Sequence, residues 1–454
     1  MQSKLQKVLH PVAGKPMIAH VLEAAADAGV VRTVLVVGRN AHQVRDWLAH
    51  LAAPARQGVI ECVEQHEQLG TGHAVRQARS LLEGQAETIL VLYGDTPLIR
   101  AETLRTLLER HARVRPAVTM LTAVAADATG YGRVLRDERG RVRGIVEEAA
   151  ASPEQRAIRE INSGVYCFRA DWLWPHLDRL SLSPKGEYYL TDLVGAAAGE
   201  GEDVEALALD DPAETMGIND RVQLAEAERI ARDRVRERLM RAGVTLIDPA
   251  TCYVDATVEV GQDTVLLPNT ILRGRTKIGA DCVIGPGTIV DDTVVGQRCR
   301  LIASVLEGAV VEDDVVMGPF CHLRPGVHLA NGVEMGNFAE VKKSYLGPGT
   351  KMHHFSYIGD ATLGANVNVG AGTITCNYDS ETKAKSHTIV EDDVGLGSDT
   401  MLVAPVRVGA RSTTGAGSVV TRDIPPDSVA YGVPATVKRK RQGQTEPPAS
   451  GGVT

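Results

Sequence analysis

The sequence predicts an α/β Rossmann-like domain followed by a parallel β-helix built from hexapeptide repeats. Three patterns lead there. Small aliphatic residues recur at every sixth position from about Val260 to Val420. Strand-like and helix-like segments alternate up to about residue 218, and a charged, helix-forming stretch separates the two regions.

The repeat comes in ladders. Val260, Leu266, Leu272, Ile278, Ile284 and Val290 form one; Met317, Leu323, Leu329, Met335 and Val341 a second; Leu346, Met352 and Ile358 follow; Leu396, Leu402, Val408, Thr414 and Val420 form the last. A period of six belongs neither to a helix nor to a flat alternating strand. It fits a β-helix in which each hexad makes one short strand and one corner. The aliphatic residue points into a narrow core, and the small residue after it, as in Ile278-Gly279 or Val408-Gly409, lets the backbone turn. Stacked coils make a solenoid held by nearest neighbours, here of roughly nine or ten coils at three hexads each. This pattern predicts a fold and says little about chemistry.

In the N-terminal region, Thr33–Val37 and Thr88–Leu92 read as buried strands, with helices expected over Ala41–Leu51 and Thr71–Leu82. Further strands are expected over Ala117–Ala123, Val142–Glu147, Val165–Phe168 and Val204–Leu209, in a mostly parallel sheet. Ligands in such sheets sit beyond the carboxyl ends of strands. Asp95 stands there, after the apolar run ending Leu92-Tyr93-Gly94, where a carboxylate suits Mg²⁺ held with phosphates; a turn aspartate is the plain alternative. Gln65 through Gly72 is a polar, glycine-bearing loop opening a helix, suited to a base or a phosphate or else simply a capped loop. Tyr131-Gly132-Arg133, Ile145-Val146-Glu147 and Ile161-Asn162-Ser163-Gly164 are weaker polar breaks of the same kind.

Asn219 to about Arg241 reads as a charged connecting helix, capped by Asn219 and supported by Glu226–Arg229 and Glu228–Arg232 pairs. One insertion, Cys376–Asp393, leaves the hexad phase, and loops leaving a rigid scaffold tend to carry function. Lys342-Lys343, His353-His354, Tyr357, Asn366 and Asn368 lie near it, with Arg324 upstream. A neutral imidazole can take a proton from an amine, although a histidine in such an array commonly just faces solvent. The expected segments are 1–218, a connector 219–242, the solenoid 243–434 and a disordered tail 435–454. The basic Lys438-Arg439-Lys440-Arg441 of that tail reads as solvated or as steering an anionic cofactor.

Composition sets limits. A chain of 454 residues holds two or three domains, and 4% aromatic content suits a slender aliphatic core. A net charge of −8 argues against general nucleic-acid binding. Seven scattered cysteines without a C-x-x-C pair suggest a reducing compartment and no zinc knuckle. No apolar run approaches membrane length and MQSKLQKVLH has no signal-peptide core, so a cytoplasmic protein free of membrane is expected.

The motifs KVLHPVAGKPM (7–17), QLGTGHA (68–74), LYGDTPL (92–98), TGYGR (129–133), GIVEE (144–148), GEYYLTD (186–192), GNFAEVKKS (336–344), NVNVGAGTITCNYD (366–379) and GSDTMLVAPV (397–406) together resemble one family. It is the bifunctional bacterial N-acetylglucosamine-1-phosphate uridyltransferase/glucosamine-1-phosphate acetyltransferase, and the resemblance runs from Met1 to about Pro434. It implies a nucleotidyltransferase domain and a left-handed β-helix in a homotrimer with acetyl sites built between subunits. The implied substrates are glucosamine-1-phosphate, acetyl-CoA, N-acetylglucosamine-1-phosphate and UTP. For uridyl transfer it implies Lys7, Gln65, Gly70, Thr71, Tyr93, Gly94, Asp95, Gly132, Glu147, Asn162 and Asn219, with Asp95 and Asn219 on Mg²⁺. For acetyl transfer it implies His354 as general base, Arg324, Lys342, Tyr357 and Asn368 on the sugar phosphate, and Ala371, Asn377, Tyr378, Ser398 and Ala416 along acetyl-CoA.

Three departures from the family stand out. Family members begin with a strand and a glycine-rich LAAGxGTRM loop, whose closing Met aligns with Met1. The expectation is a start set too late, a sheet with an exposed edge, and a uridyltransferase short of loop amides and an arginine. The CNYD loop is slightly longer around Lys385-Ser386-His387, and Gly432 stands where the family has an arginine. Rival readings are a pyrophosphorylase of other specificity, a regulatory or scaffold subunit with a non-catalytic solenoid, and a metalloenzyme using His353, His354 and His387. The presence of His354, Lys342 and Asn377-Tyr378 counts against the first two.

Overall fold

The computed structural model describes residues 1–38, 41–50 and 58–440. The chain divides into two compact units, Met1–Ala231 and Arg232–Thr454.

In the first unit the long strand Glu160–Arg169 organises the sheet. It pairs antiparallel with Thr88–Val91, Val118–Val124 and Arg133–Arg136. Val118–Val124 pairs parallel with Val204–Ala208, and Arg133–Arg136 antiparallel with Val142–Val146. The expectation of a mostly parallel sheet is therefore corrected: the sheet is mixed. Parallel neighbours need a long crossover, and the turn from Arg136 to Val142 is a short hairpin. Burial on both faces explains the length of the organising strand: Ile161 and Val165 through Phe168 are all enclosed. Tyr166 and Phe168 pack there with Leu173, Trp174, Leu190 and Val194.

Arg32–Val37 and Val59–Glu64 form a separate parallel pair. Cavities of about 350 and 680 Å³ both carry Val34 and Leu35 on one side and Ile89, Leu90 and Leu92 on the other. Among the described residues, Arg32–Val37 and Thr88–Val91 each have a strand partner on one side only. The helix Ala41–His50 matches expectation, while Leu51 lies outside the described residues. The expected helix Thr71–Leu82 is two, Thr71–Gln77 and Arg79–Leu82. Arg76 on one donates to the Leu177 carbonyl, and Arg79 on the other pairs with Asp178 at 2.7 Å. The connecting helix runs Arg221–Arg241. Asp220 rather than Asn219 caps it, accepting from the Gln223 amide at 2.8 Å. Glu226 and Arg229 form the expected pair at 2.7 Å.

Among the described residues the second unit is a solenoid with three sheets of twelve, ten and nine strands, parallel except for the last pair of the twelve. Every ladder residue from Leu266 onward is buried in one continuous core, with Thr414 buried beside it. The gap between Val290 and Met317 is no gap. Val295, Leu301, Leu306 and Val311 fill it in steps of five or six residues, and paired strands there are offset by sixteen residues, as in Val294 with Val310, instead of eighteen, as in Val265 with Val283. Shortened corners keep the aliphatic residue inward. At the corners, buried hydroxyls bridge coils: Thr264 donates to the Gly279 carbonyl at 2.8 Å and accepts from the Cys282 amide at 3.0 Å.

The expected disorder from residue 435 is corrected in part. Ala435–Lys440 is a strand folded back antiparallel on Ser428–Gly432. The turn begins at Gly432, whose φ of +111° suits glycine. The strand covers the open backbone edge of the last rung, with Lys438 over the Tyr431 ring at 5.5 Å. Arg441 and the rest of the tail lie outside the described residues.

Leu301→Ala removes a fully buried rung residue and is expected to destabilise the solenoid by about 2–5 kcal/mol. Arg300→Ala, the adjacent outward residue, is expected to stay within about 0.5 kcal/mol of wild type. Urea unfolding of both variants checks the inward-outward alternation.

Candidate active sites

The first unit gathers its candidates around the end of the strand Thr88–Val91. The Ile218 amide donates to the Asp95 carbonyl at 3.0 Å and so brings the 218–219 backbone alongside Asp95. Lys7, in the short 3₁₀ turn Lys7–Leu9, places its Nζ 2.5 Å from Asp95 Oδ2 and 3.0 Å from Asn219 Oδ1. Two hard oxygen donors therefore converge on one cation-sized position, the donor chemistry Mg²⁺ takes. Lys7, Gln65, Thr71, Tyr93, Gly94 and Asp95 line the same 680 Å³ cavity.

Gln65 donates to the Gly70 carbonyl at 3.1 Å and lies 3.0 Å from His73 Nδ1. Gly70 opens the helix Thr71–Gln77, and Thr71 Oγ1 accepts from the Leu190 amide at 3.0 Å. The GEYYLTD segment thus braces this loop. Gly132, Glu147 and Asn162 meet on neighbouring strands: the Asn162 amide donates to the Gly132 carbonyl at 2.9 Å, and a Cβ on Gly132 would lie 3.6 Å from Glu147 Oε2. Thr191 donates to Glu147 at 3.1 Å, a partner that the sequence reading passed over although it lies in a quoted motif.

The Tyr93 ring joins the two groups. It lies against Gly164, where a Cβ would be 2.2 Å from a ring carbon. Burial, with the carboxylates of Glu147 and Asp95 nearby, pushes its hydroxyl up to about 12.

In the solenoid, backbone register decides which residues meet. Tyr357 pairs with Ile374, Ile374 with Met401, and Met401 with Val419. His354, Ala371, Ser398 and Ala416 each stand three residues before these positions, so they occupy one line running up a single corner. Arg324, Lys342 and Tyr357 stand on the face that follows that corner. Asn368 does not join them. It lies on the preceding face, between Lys351 and Gly395.

Two groups missed by sequence reading belong to this face. Glu340 alternates outward between buried Ala339 and Val341 and accepts from Arg324 at 3.2 Å; the period-2 pattern in GNFAEVKKS was the available signal. Lys385 reaches Lys342 because the lengthened loop folds on itself. Tyr378 bridges Lys385, and the Ser386 amide donates to the Asn377 carbonyl at 2.9 Å. The Asn377 side chain donates to Asp360, while Tyr378 is half exposed. The Lys385 ammonium, with Arg324, holds Lys342 below the usual lysine range. Such clustered cations favour an anion among them. His354 is exposed at the corner and, among the described residues, makes no side-chain hydrogen bond. The metalloenzyme reading finds no support in this geometry: His353 bonds Glu334 at 2.9 Å and His387 bonds Thr362 at 2.9 Å. No three His, Cys, Asp or Glu side chains placed to share a metal ion gather among the described residues.

Residues 2–212 match the nucleotidyl transferase family, and residues 257–292 match bacterial transferase hexapeptide repeats. "Bifunctional protein GlmU" of Trichlorobacter lovleyi is 50% identical over 432 residues, covering 95% of this chain and 92% of that protein. Proteins of the same description from Pelobacter propionicus and Syntrophomonas wolfei are 49% and 44% identical, covering 97% and 99% of this chain and 94% and 97% of their own lengths.

Gly164→Ala is expected to destabilise the first unit by about 1–3 kcal/mol more than Gly130→Ala. Both positions have positive φ, but only Gly164 meets a neighbour, the Tyr93 ring. Thermal unfolding of the pair separates ring overlap from backbone strain. Tyr93 also gives a pH signature. Its folded pKa is raised from 10.0 to about 12, so its contribution to stability is complete below pH 10 and is lost as pH rises through about 12. Tyr93→Phe is expected to lower that alkaline slope in denaturant titrations.

Proposed function

The chain belongs to the bifunctional GlmU family, a nucleotidyltransferase joined to an acetyltransferase that together make UDP-N-acetylglucosamine, and we propose that the two sites described above carry the two reactions. In the solenoid, glucosamine-1-phosphate takes an acetyl group from acetyl-CoA. In the first unit, the resulting N-acetylglucosamine-1-phosphate attacks UTP, and pyrophosphate leaves. The observation that carries the acetyl assignment is the single line of His354, Ala371, Ser398 and Ala416 beside the cationic face.

On that face Arg324, Lys342 and Lys385 hold the sugar phosphate, and Glu340 fixes the guanidinium of Arg324. Tyr357 and Asn368 flank the sugar. His354 takes the proton from the amine as the nitrogen attacks the thioester carbonyl. The carbon–sulfur bond breaks and CoA leaves as thiolate, to be protonated. The small side chains Ala371, Ser398 and Ala416 leave room for the pantetheine arm along the corner, with Asn377 and Tyr378 beside it.

In the first unit, Gln65, Gly70, Thr71 and Gly94 surround the uridine nucleotide, and Gly132, Glu147 and Asn162 the sugar. Lys7 neutralises charge on the α-phosphate. Asp95 and Asn219 would hold Mg²⁺, which supplies Lewis-acid neutralisation of the phosphates when bound. Tyr93 stays protonated at neutral pH and walls the cavity.

A homotrimer completes the acetyl site in this reading. Asn368 lies across a convex edge from Tyr357, so a second copy must bring its own Asn368 to that pocket. Phe320, Phe338 and Phe355, three of the four phenylalanines, stand on that edge with about 60% exposure, the first two stacked at 5.3 Å. Aromatic anchors of this kind typically lie at the centre of an interface. No helix among the described residues is long and apolar enough to cross a membrane, and UTP and acetyl-CoA are cytoplasmic substrates, which supports that compartment. The scaffold reading leaves the corner line and the cationic face without a purpose.

His354→Ala is expected to lower acetyl transfer by about 10²–10⁴-fold while uridyl transfer is kept; Asp95→Asn is expected to do the reverse. CoA-release and pyrophosphate-release assays measure the two separately. Loss of both activities together in either variant would sink the two-site assignment.

A further inference from the structure

The insertion that leaves the hexad phase closes on itself between the strands Ile374–Cys376 and Thr388–Val390. The Ser386 amide donates to the Asn377 carbonyl at 2.9 Å, the Asp379 amide to the Ala384 carbonyl at 3.0 Å, and Tyr378 bridges Lys385. None of these bonds reaches another coil. Two that do meet at Asp360, at a corner of the coil before. Its carboxylate accepts from the Asn377 side chain, and its carbonyl accepts from the Thr388 amide at 3.1 Å. Its own amide donates to the Lys342 carbonyl at 3.0 Å, one coil further back. Asp360 therefore touches both feet of the insertion and the strand that carries Lys342. Its φ of +47° is a backbone conformation that Asp and Asn take more readily than most residues. Asn377 is nearly enclosed, and a carboxylate can only accept, so the amide is held in one orientation.

We infer that Asp360 is a positioning residue of the acetyl site: it anchors the insertion through Asn377 and so holds Lys385 against Lys342 on the phosphate face. The inference rests on the acetyltransferase reading above. Lys385 and Lys342 repel each other, so without phosphate their closeness needs a tether. The insertion's own bonds cannot supply it, because they fix its shape and not its place on the solenoid. A segment held only at its feet opens at low cost once a foot is freed. The Asp360 carboxylate ties the first foot directly. It also opposes, on Lys342, the effect of Lys385 and Arg324. One side chain thus supplies a tether for the loop and a counter-charge for the cations that the loop brings together.

The test uses full chains: wild type, Asp360→Asn, Asp360→Gly, Lys385→Ala and the double variant Asp360→Gly/Lys385→Ala. Asparagine keeps an oxygen for Asn377 and loses the charge. Glycine removes the tether without straining the backbone. Steady-state acetyl transfer is measured beside limited trypsin cleavage after the exposed Lys383 and Lys385, read by mass spectrometry. The glycine variant is expected to raise KM for glucosamine-1-phosphate about tenfold, to keep kcat within about twofold, and to be cleaved in the insertion about tenfold faster. The asparagine variant is expected to stay near wild type in both. In the double variant the rise in KM is expected to be no greater than in Lys385→Ala alone, because Asp360 acts through Lys385. A wild-type KM in the glycine variant overturns the inference. So does an asparagine variant as impaired as the glycine one, or additive effects in the double variant. A wild-type chain that transfers no acetyl group, with cleavage still fast in the glycine variant and slow in the asparagine one, would sink the acetyltransferase reading and keep the anchor.

Discussion

Everything in the second unit depends on one repeated interaction, the backbone hydrogen bond from each rung to the next. The Tyr357 amide donates to the Thr373 carbonyl, Ile374 to Thr400 and Met401 to Ser418, all near 3 Å. Each bond fixes register, and register alone turns residues scattered over some sixty positions into a straight line at one corner. Hydrophobic burial then holds the register, because a slip by one residue would turn the aliphatic ladder outward. The buried hydroxyls at the corners add bridges between coils where the strands end. Chemistry on this scaffold therefore needs no concave pocket of its own. It needs side chains of the right kind at the same place in successive turns.

The first unit solves its problem differently. Its candidates come from distant loops, drawn together by single hydrogen bonds such as Ile218 to Asp95 and Gly72 to Tyr188. Charge balance decides the centre. Lys7 lies between Asp95 and Asn219, so the carboxylate there is already matched. Tyr93, enclosed and next to two carboxylates, is held neutral. In the solenoid the balance has the opposite sign, with Lys342, Lys385 and Arg324 crowded together and Glu340 accepting from Arg324. One cluster sets the carboxylate of Asp95 and the amide oxygen of Asn219 around an ammonium; the other gathers cations on one face.

Legibility in the sequence followed periodicity. The hexads from Leu266 to Val420 could be read directly because one side chain in six must point inward. The stretch from Val290 to Met317 broke the count because corners there lose a residue while the strands keep phase. The mixed sheet was not readable: an apolar run such as Val118–Val124 looks the same beside a parallel or an antiparallel neighbour. The strand Ala435–Lys440 was taken for disorder because it is polar, and polar composition carries no hint that a bare sheet edge awaits it. Glu340 and Lys385 were overlooked for another reason. Their part in the site comes from partners on other coils, and a linear motif records spacing along the chain but not across it.

The unequal corners have one more consequence. A rung tolerates no change in its strand, yet neighbouring coils here differ in length without disturbing the pairing. The loop between Cys376 and Thr388 is the extreme case: many residues are inserted, and Ile374 still meets Met401 in register. Length variation is thus confined to the edges of the prism, where it changes what a coil presents and not how it stacks. The molecule behaves like a rack with fixed shelves and adjustable brackets. New recognition segments can be spliced in at a corner, one coil at a time, while every other bracket stays where it was.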